Sequence, residues 1–239
     1  MKKKLLKALA IGLLGSCIFV GCGNSNTADT STEETYKDYT GKTTLTYIGH
    51  ASVKIVSKDG LVLYIDPQYN DGNYDDEADY IFVTHGHDDH KPNNKVKLKD
   101  DGKLITYRET HHDGVYESYD FGSIQVEAVA AGGNPNHDIN KCVGYIVTVD
   151  GIKVYHAGDT SMIDQMKDLT AKEIDYAMYP IDGLYNMDAV EATEVANLVA
   201  AKHNIPIHEF DTPGSLKSDN FTPEGRMILA YGETIVIGE

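Results

Sequence analysis

Short apolar runs rich in β-branched and aromatic residues follow one another along the chain, separated by polar turn residues, the signature of strands. The pattern predicts strands over Thr44–Ile48, Ser52–Val56, Leu61–Ile65, Tyr80–Thr84, Lys103–Thr106, Ser123–Ala128, Val143–Val149, Lys153–His156, Tyr176–Tyr179 and Thr234–Ile237. Lys58-Asp59-Gly60, Asp100-Asp101-Gly102 and Asp150-Gly151 mark turns between them. Helical spacing comes late. Asp188–Lys202 brings Ala192, Val195, Leu198 and Val199 close to one face, Asp188 with Glu191 reads as a capping box, and His203 is expected to close that helix. Thr222-Pro223-Glu224 predicts another helix start, and shorter helices are expected after His90 and near Ser161–Leu169. Many strands with helices between the later ones predict an α/β fold of two packed sheets with helices outside.

The first 40 residues break this pattern. Lys2, Lys3, Lys4 and Lys7 are followed by an apolar run to Val20, about the length of a signal core and shorter than the roughly 20 residues a spanning helix needs. Phe19-Val20-Gly21-Cys22 resembles a bacterial lipobox, in which the cysteine is lipidated and becomes the new N-terminus. Leu14-Gly15-Ser16-Cys17 competes, but polar Gly23-Asn24-Ser25-Asn26 follows Cys22, whereas more apolar chain follows Cys17. The expected organisation is a signal over 1–21, a flexible polar tether over 22–40 and one domain over 41–239, lipid-anchored to the cell membrane on its extracytoplasmic side.

Composition narrows the function. With 21 Lys plus Arg against 37 Asp plus Glu, the formal charge is −16, and a field of that sign repels nucleic-acid backbones. Losing the signal would make the chain more acidic still. Three cysteines are too few for a disulfide scaffold, and Cys142, beside Val143–Val147, is expected as a buried strand residue. Ten histidines remain to be explained.

Their densest cluster is Thr84-His85-Gly86-His87-Asp88-Asp89-His90, directly after the apolar run Tyr80-Ile81-Phe82-Val83. A strand delivers the chain to a sheet end, where a tight loop gathers three imidazoles and carboxylates. Gly86 permits the turn, and the nitrogen and oxygen donors suit zinc, iron or manganese. This pattern resembles the His-x-His-x-Asp-His signature of the metallo-β-lactamase fold superfamily of metal-dependent hydrolases. Tyr47-Ile48-Gly49-His50-Ala51-Ser52 and Leu63-Tyr64-Ile65-Asp66-Pro67 look like the opening motifs of its lactonase-like branch. Val154–Thr160 and Ile205-Pro206-Ile207-His208 look like the later metal motifs, so the likeness covers nearly the whole domain.

The resemblance implies a four-layer αββα sandwich and two divalent ions, with zinc expected. It assigns His85, His87 and His137 to the first ion and Asp89, His90 and His208 to the second, with Asp159 bridging both. His50 and Asp66 are expected to support these ligands from outside the coordination sphere. Asp89 and Asp159 would orient the water and relay its proton. A hydroxide shared by the metals would attack an ester, lactone or phosphodiester bond of a small or lipid-derived substrate. His156 is expected to be buried and satisfied, Asp88 to face solvent, and His111 and His112 to lie in an exposed loop. Tyr185 and Met187 are expected to touch substrate. Classical zinc β-lactamases carry cysteine where this chain has Asp159, which argues against antibiotic hydrolysis. A non-catalytic metal-binding surface lipoprotein and a membrane-associated phospholipase-type phosphodiesterase are the competing readings.

Overall fold

The strand-forming runs assemble into two stacked mixed sheets in the computed structural model, which describes residues 37–209 and 218–239. The signal, Cys17, Cys22 and most of the tether lie outside the described residues. The first sheet is built from β1 (Thr44–Gly49), β2 (Ser52–Val56), β3 (Val62–Ile65), β4 (Ala78–Val83), β5 (Leu98–Thr106) and the final strand β14 (Glu233–Val236), in the order β14-β1-β2-β3-β4-β5. The second contains β8 (Ser118–Asp120), β9 (Ile124–Ala130), β10 (Val143–Val149), β11 (Ile152–His156), β12 (Tyr176–Pro180) and β13 (His203–Ile207), in the order β13-β12-β11-β10-β9-β8. The short strands β6 (His111–His112) and β7 (Val115–Tyr116) pair with each other between the two sheets in sequence. In each sheet the last-joined strands run parallel, β3-β4-β5 in the first and β11-β12-β13 in the second.

Successive side chains of a strand point to opposite faces, which explains the stacking. Alternate residues Leu45, Val53, Ile55, Leu63 and Phe82 of the first sheet meet Ile124, Val126, Val143, Tyr145, Val147 and Met178 of the second in one core. β10 is buried along nearly its whole length. Its outward residue Ile146 lies under a second cluster formed by Tyr155, Tyr179, helix α2 (Ala189–Val199) and a 3₁₀ segment, Asp164–Lys172. Burying such side chains contributes roughly 1.5–3 kcal/mol each, which makes this sandwich a stiff frame for whatever its loops carry. On the outer face of the first sheet Ile48, Tyr64, Ile81 and Val83 are covered by Tyr69, Tyr74 and Val96 from connecting segments. The αββα sandwich is therefore present with few helices, the heavier helical layer lying on the second sheet.

Several local expectations change. The long helix stops at Val199, where Ala200 adopts the left-handed conformation, and His203 opens strand β13 instead of closing the helix. Asp188 caps it through Val190 and Glu191 N–H, but the Glu191 carboxylate turns away to accept from Met162 N–H, so the reciprocal half of the capping box is not made. No helix follows Thr222-Pro223-Glu224. The N–H groups of Thr222 and Glu224 bond to Thr193 and Asn197 of α2, and Arg226 bridges to Asn204 of β13. The stretch after His90 forms turns, with Asn93 N–H bonded to Pro67 O. A four-residue helix α1, Tyr107–Thr110, caps itself through Thr106 and Glu109.

Candidate metal centre

Segments far apart in sequence converge at one rim of the sandwich, at the carboxyl ends of the parallel strands. β4 delivers His85 through His90, β11 delivers Asp159, β13 delivers His208 and the β9–β10 connection supplies His137. β3 and β12 end just before Asp66 and Asp182, and the β1–β2 turn carries His50. Two glycines make the close approach possible. A Cβ on Gly86 would lie 2.9 Å from the Tyr107 hydroxyl, and one on Gly158, at φ +63°, would lie 2.6 Å from Val143 O.

The donors fall into two sets joined by one carboxylate. In the first set, His85 Nε2 lies 3.0 Å from His87 Nδ1. The His137 Nε2 atom stands 3.1 Å from Asp159 Oδ2. In the second set, His90 Nε2 and His208 Nε2 lie 3.9 and 3.8 Å from Asp89 Oδ2. Asp159 reaches this set too, with Oδ1 at 3.3 Å from His90 Nε2 and Oδ2 at 3.4 Å from His208 Nε2. The seven residues named from the sequence thus come together.

Their spacing fits a divalent ion. Donors around a tetrahedral ion with bonds of about 2.0–2.2 Å stand about 3.3–3.6 Å apart. His90 Nε2 and Asp159 Oδ1 are buried and face each other at that spacing, yet neither has a hydrogen-bond partner among the described residues. Buried polar atoms left this way are costly unless something else binds them, and imidazole and carboxylate are donors a divalent metal accepts.

The electrostatics separate the two sets. Burial pushes the His85 imidazolium down to a pKa of about 3, so the ring is uncharged at neutral pH. Burial acts the same way on His90, but the carboxylates of Asp159 and Asp66 outweigh it and hold His90 well above the usual imidazole value. The same contest raises His208, with Asp159 and Asp182 opposing burial. Burial raises Asp159, but His208 and His90 overcome it and hold the carboxyl well below the ordinary range.

Further residues fix the orientation of these side chains through specific contacts. Asp66 is fully buried and accepts from His90 Nδ1 at 2.8 Å, Thr84 N at 2.8 Å and Thr84 Oγ1 at 2.6 Å, fixing which His90 nitrogen faces the centre. His50 places Nε2 3.2 Å from Asp89 Oδ2, and its ring lies 3.8 Å from that of His208. With Asp89, His90 and His208 it forms a group whose ligand atoms lie within 4.8 Å of one another, closer to the centre than a remote support. His50, Asp66 and His208 all have positive φ (55°, 45° and 54°), a conformation costly for residues with a Cβ and concentrated at functional sites. Asp182, which sequence reasoning did not assign, places Oδ2 3.1 Å from His208 Nδ1. Its signal was available: like Asp66 and Asp159, it is a carboxylate just past the end of a buried strand.

Other assignments sort themselves around this centre. A cavity of about 350 Å³ is lined by His87, Asp89, Asn136, His137, Asp159, Tyr185 and His208. Tyr185 therefore stands at the mouth as expected, but Met187 is fully buried in the core against α2 and cannot touch substrate. His156 is buried and satisfied, donating from Nε2 to Ala51 O and accepting Gly158 N–H at Nδ1. Asp88 is solvent-facing and pairs with Lys91. His111 and His112 sit in the small strand β6 rather than a loop, and His111 stacks on Tyr116. Cys142 is buried, and burial pushes its thiol up to about 12.

Two stacked mixed sheets with histidines and aspartates gathered at the strand ends define the class: a metallo-hydrolase sandwich. Comparison with known proteins agrees, since the sequence model of the beta-lactamase superfamily domain matches residues 44–208. A UPF0173 metal-dependent hydrolase of Natranaerobius thermophilus is 32% identical over 69% of this chain and 82% of its own length. The chain belongs to the UPF0173 metal-dependent hydrolase family of the β-lactamase superfamily. Among solved structures, a protein of Parabacteroides distasonis superposes with a TM-score of 0.64 at 28% identity, over 78% of this chain and 91% of that one. A metallo-β-lactamase superfamily protein of Thermotoga maritima gives 0.56 at 26% identity, over 75% and 84%.

Proposed function

We propose that the protein is a dinuclear hydrolase that cleaves an ester, lactone or phosphodiester bond of a small or lipid-derived substrate. The observation that carries this reading is Asp159, whose one buried carboxylate stands within 3.1–3.4 Å of His137, His90 and His208, donors from both sets. A carboxylate so placed is suited to bridge two ions. Two divalent ions, when bound, supply an acidified water and polarise the bond under attack.

The chain's own residues do the rest. His85, His87 and His137 would hold one ion, and Asp89, His90 and His208 the other. Asp89, with 46% of its side chain exposed, is the more open of the two carboxylates lining the cavity and is placed to orient the attacking water. Tyr185 and Asn136 line the remaining wall and restrict the substrate to one that fits a small pocket. No serine or cysteine nucleophile is needed, and Cys142 is buried with a raised pKa that keeps it protonated. Zinc fits the donor set, and iron and manganese share it.

A lipid anchor at the N-terminus would hold the domain outside the cytoplasm. The Lys-rich start, the apolar run and Cys22 support a lipoprotein signal over residues 1–21, a tether over 22–40 and a lipid anchor at Cys22.

The test is a panel of a generic phosphodiester, a simple ester and a lactone, assayed with metal content measured on the same sample. Turnover that requires metal and vanishes in Asp159→Ala supports the reading. Two bound ions with no turnover across the panel, in parent and variant alike, would instead indicate a metal-binding module.

A further inference from the structure

We propose that Asp182 is a positioning residue that couples the second metal position to the loop carrying Tyr185. The inference rests on the dinuclear reading above and deepens it, because it says how the ligand set and the substrate-facing wall are held in one arrangement.

Asp182 is almost fully buried, just past the end of β12. Its Oδ2 lies 3.1 Å from His208 Nδ1, and the same oxygen accepts from Asn186 Nδ2 at 2.7 Å. The other oxygen, Oδ1, accepts backbone N–H from Leu184 at 2.8 Å, Tyr185 at 2.7 Å and Asn186 at 3.3 Å. One carboxylate thus folds residues 183–186 around itself while orienting a metal-facing imidazole. Gly183, at φ 67°, permits the turn, and its N–H closes the loop onto Met187 O at 3.0 Å.

The loop is fastened from the other side as well. Tyr185 O accepts from Asn134 Nδ2 at 3.1 Å, and Asn134 Oδ1 accepts His137 N–H at 2.9 Å. Tyr185 is therefore tied toward His208 through Asp182 and toward His137 through Asn134, one residue from each ligand set. Asp66 supports His90 in a comparable way, but its other bonds go into the buried Thr84 and reach no substrate-facing group. The difference assigns Asp182 a further role. Fixing His208 for the ion and fixing Tyr185 over the cavity draw on the same two oxygens, so occupancy at one is felt at the other.

The chain contains no tryptophan, so Tyr185→Trp makes a single fluorescent reporter at the mouth. The experiment titrates the metal-free full-length chain carrying this reporter with Zn²⁺ and follows metal content alongside emission. The expected result is an emission change that accompanies the second equivalent. Adding Asp182→Asn should weaken that equivalent about 10–100-fold and abolish the emission step, with the first equivalent unchanged. A parent that takes two equivalents while Asp182→Asn binds both as tightly and keeps the emission step overturns this inference alone. A parent that binds fewer than two ions overturns the dinuclear reading and this inference with it. If circular dichroism shows that Asp182→Asn does not fold, Asn186→Ala replaces it, since it removes the other side-chain partner of Oδ2 and leaves the carboxylate. Several-fold weaker second-equivalent binding there supports the coupling, and unchanged binding with an unchanged emission step overturns it.

Discussion

His90 Nδ1 lies 2.8 Å from Asp66 Oδ2, and both side chains are completely buried. The contact holds the imidazole so that Nε2 faces Asp159. Asp66→Asn keeps the shape but removes the charge that orients His90 and accepts from Thr84. Affinity for the second metal equivalent should fall about 10–100-fold, measured by isothermal titration of the metal-free protein. Asp66→Ala should also lower stability by about 3–5 kcal/mol, read from denaturant unfolding, because it leaves a buried partner uncompensated.

The two ligand sets should load differently with pH. The His85 ring stays uncharged down to about pH 3, whereas His90 and His208 are held above the usual imidazole value. An ion entering the second set must displace those protons, and the competition strengthens as pH falls. The second equivalent should therefore be lost first on acidification, beginning above the ordinary histidine value of about 6.5 because His90 and His208 are both raised, and its binding should release protons. Titrations in buffers of different ionisation enthalpy check this. Two equivalents that leave together, without proton release, would contradict it.

His50 pairs a positive φ with a position beside Asp89 and His208, and its carbonyl is held by both Tyr47 OH at 3.0 Å and His208 N–H at 2.8 Å. His50→Gly keeps those backbone bonds and relieves a conformational cost of about 1–3 kcal/mol, offset in part by glycine's greater freedom when unfolded. The melting temperature should hold or rise while second-equivalent affinity falls. A variant that loses stability and keeps its metal would assign His50 to the fold instead.

The N-terminal reading has its own check. Cys22→Ser should abolish lipid attachment and release the protein from the membrane fraction, while Cys17→Ser leaves both unchanged. Mass spectrometry of the mature N-terminus together with cell fractionation distinguishes the outcomes.

What could be read from the sequence was what is local. The strands were legible because each run carries its own β-branched and aromatic residues between turn signals, as in β2 and β10, whose bounds match the expectation. His85–His90 were legible because four donors sit within six residues after an apolar strand. The helix expected at Thr222-Pro223 was overridden by tertiary bonds to Thr193 and Asn197, which no local window contains. His203 looked like the end of a helix because the turn at Ala200 leaves little trace in the pattern. Asp182 shares its strand-end position with Asp66 and Asp159, but its partner His208 lies 26 positions downstream, and only the parallel pairing of β12 with β13 brings the two together. Met187 was misplaced for the same reason, since the packing of α2 decides that it faces inward.

The central claim is that Asp159 joins two metal positions into one reactive centre. The most direct test is elemental analysis of the purified protein and of Asp159→Asn after equilibration with a single divalent metal at neutral pH. Two ions per chain are expected in the parent and at most one in the variant, with metal-dependent turnover lost. Two tightly held ions in Asp159→Asn, or a parent that holds only one and still turns over at full rate, would contradict it.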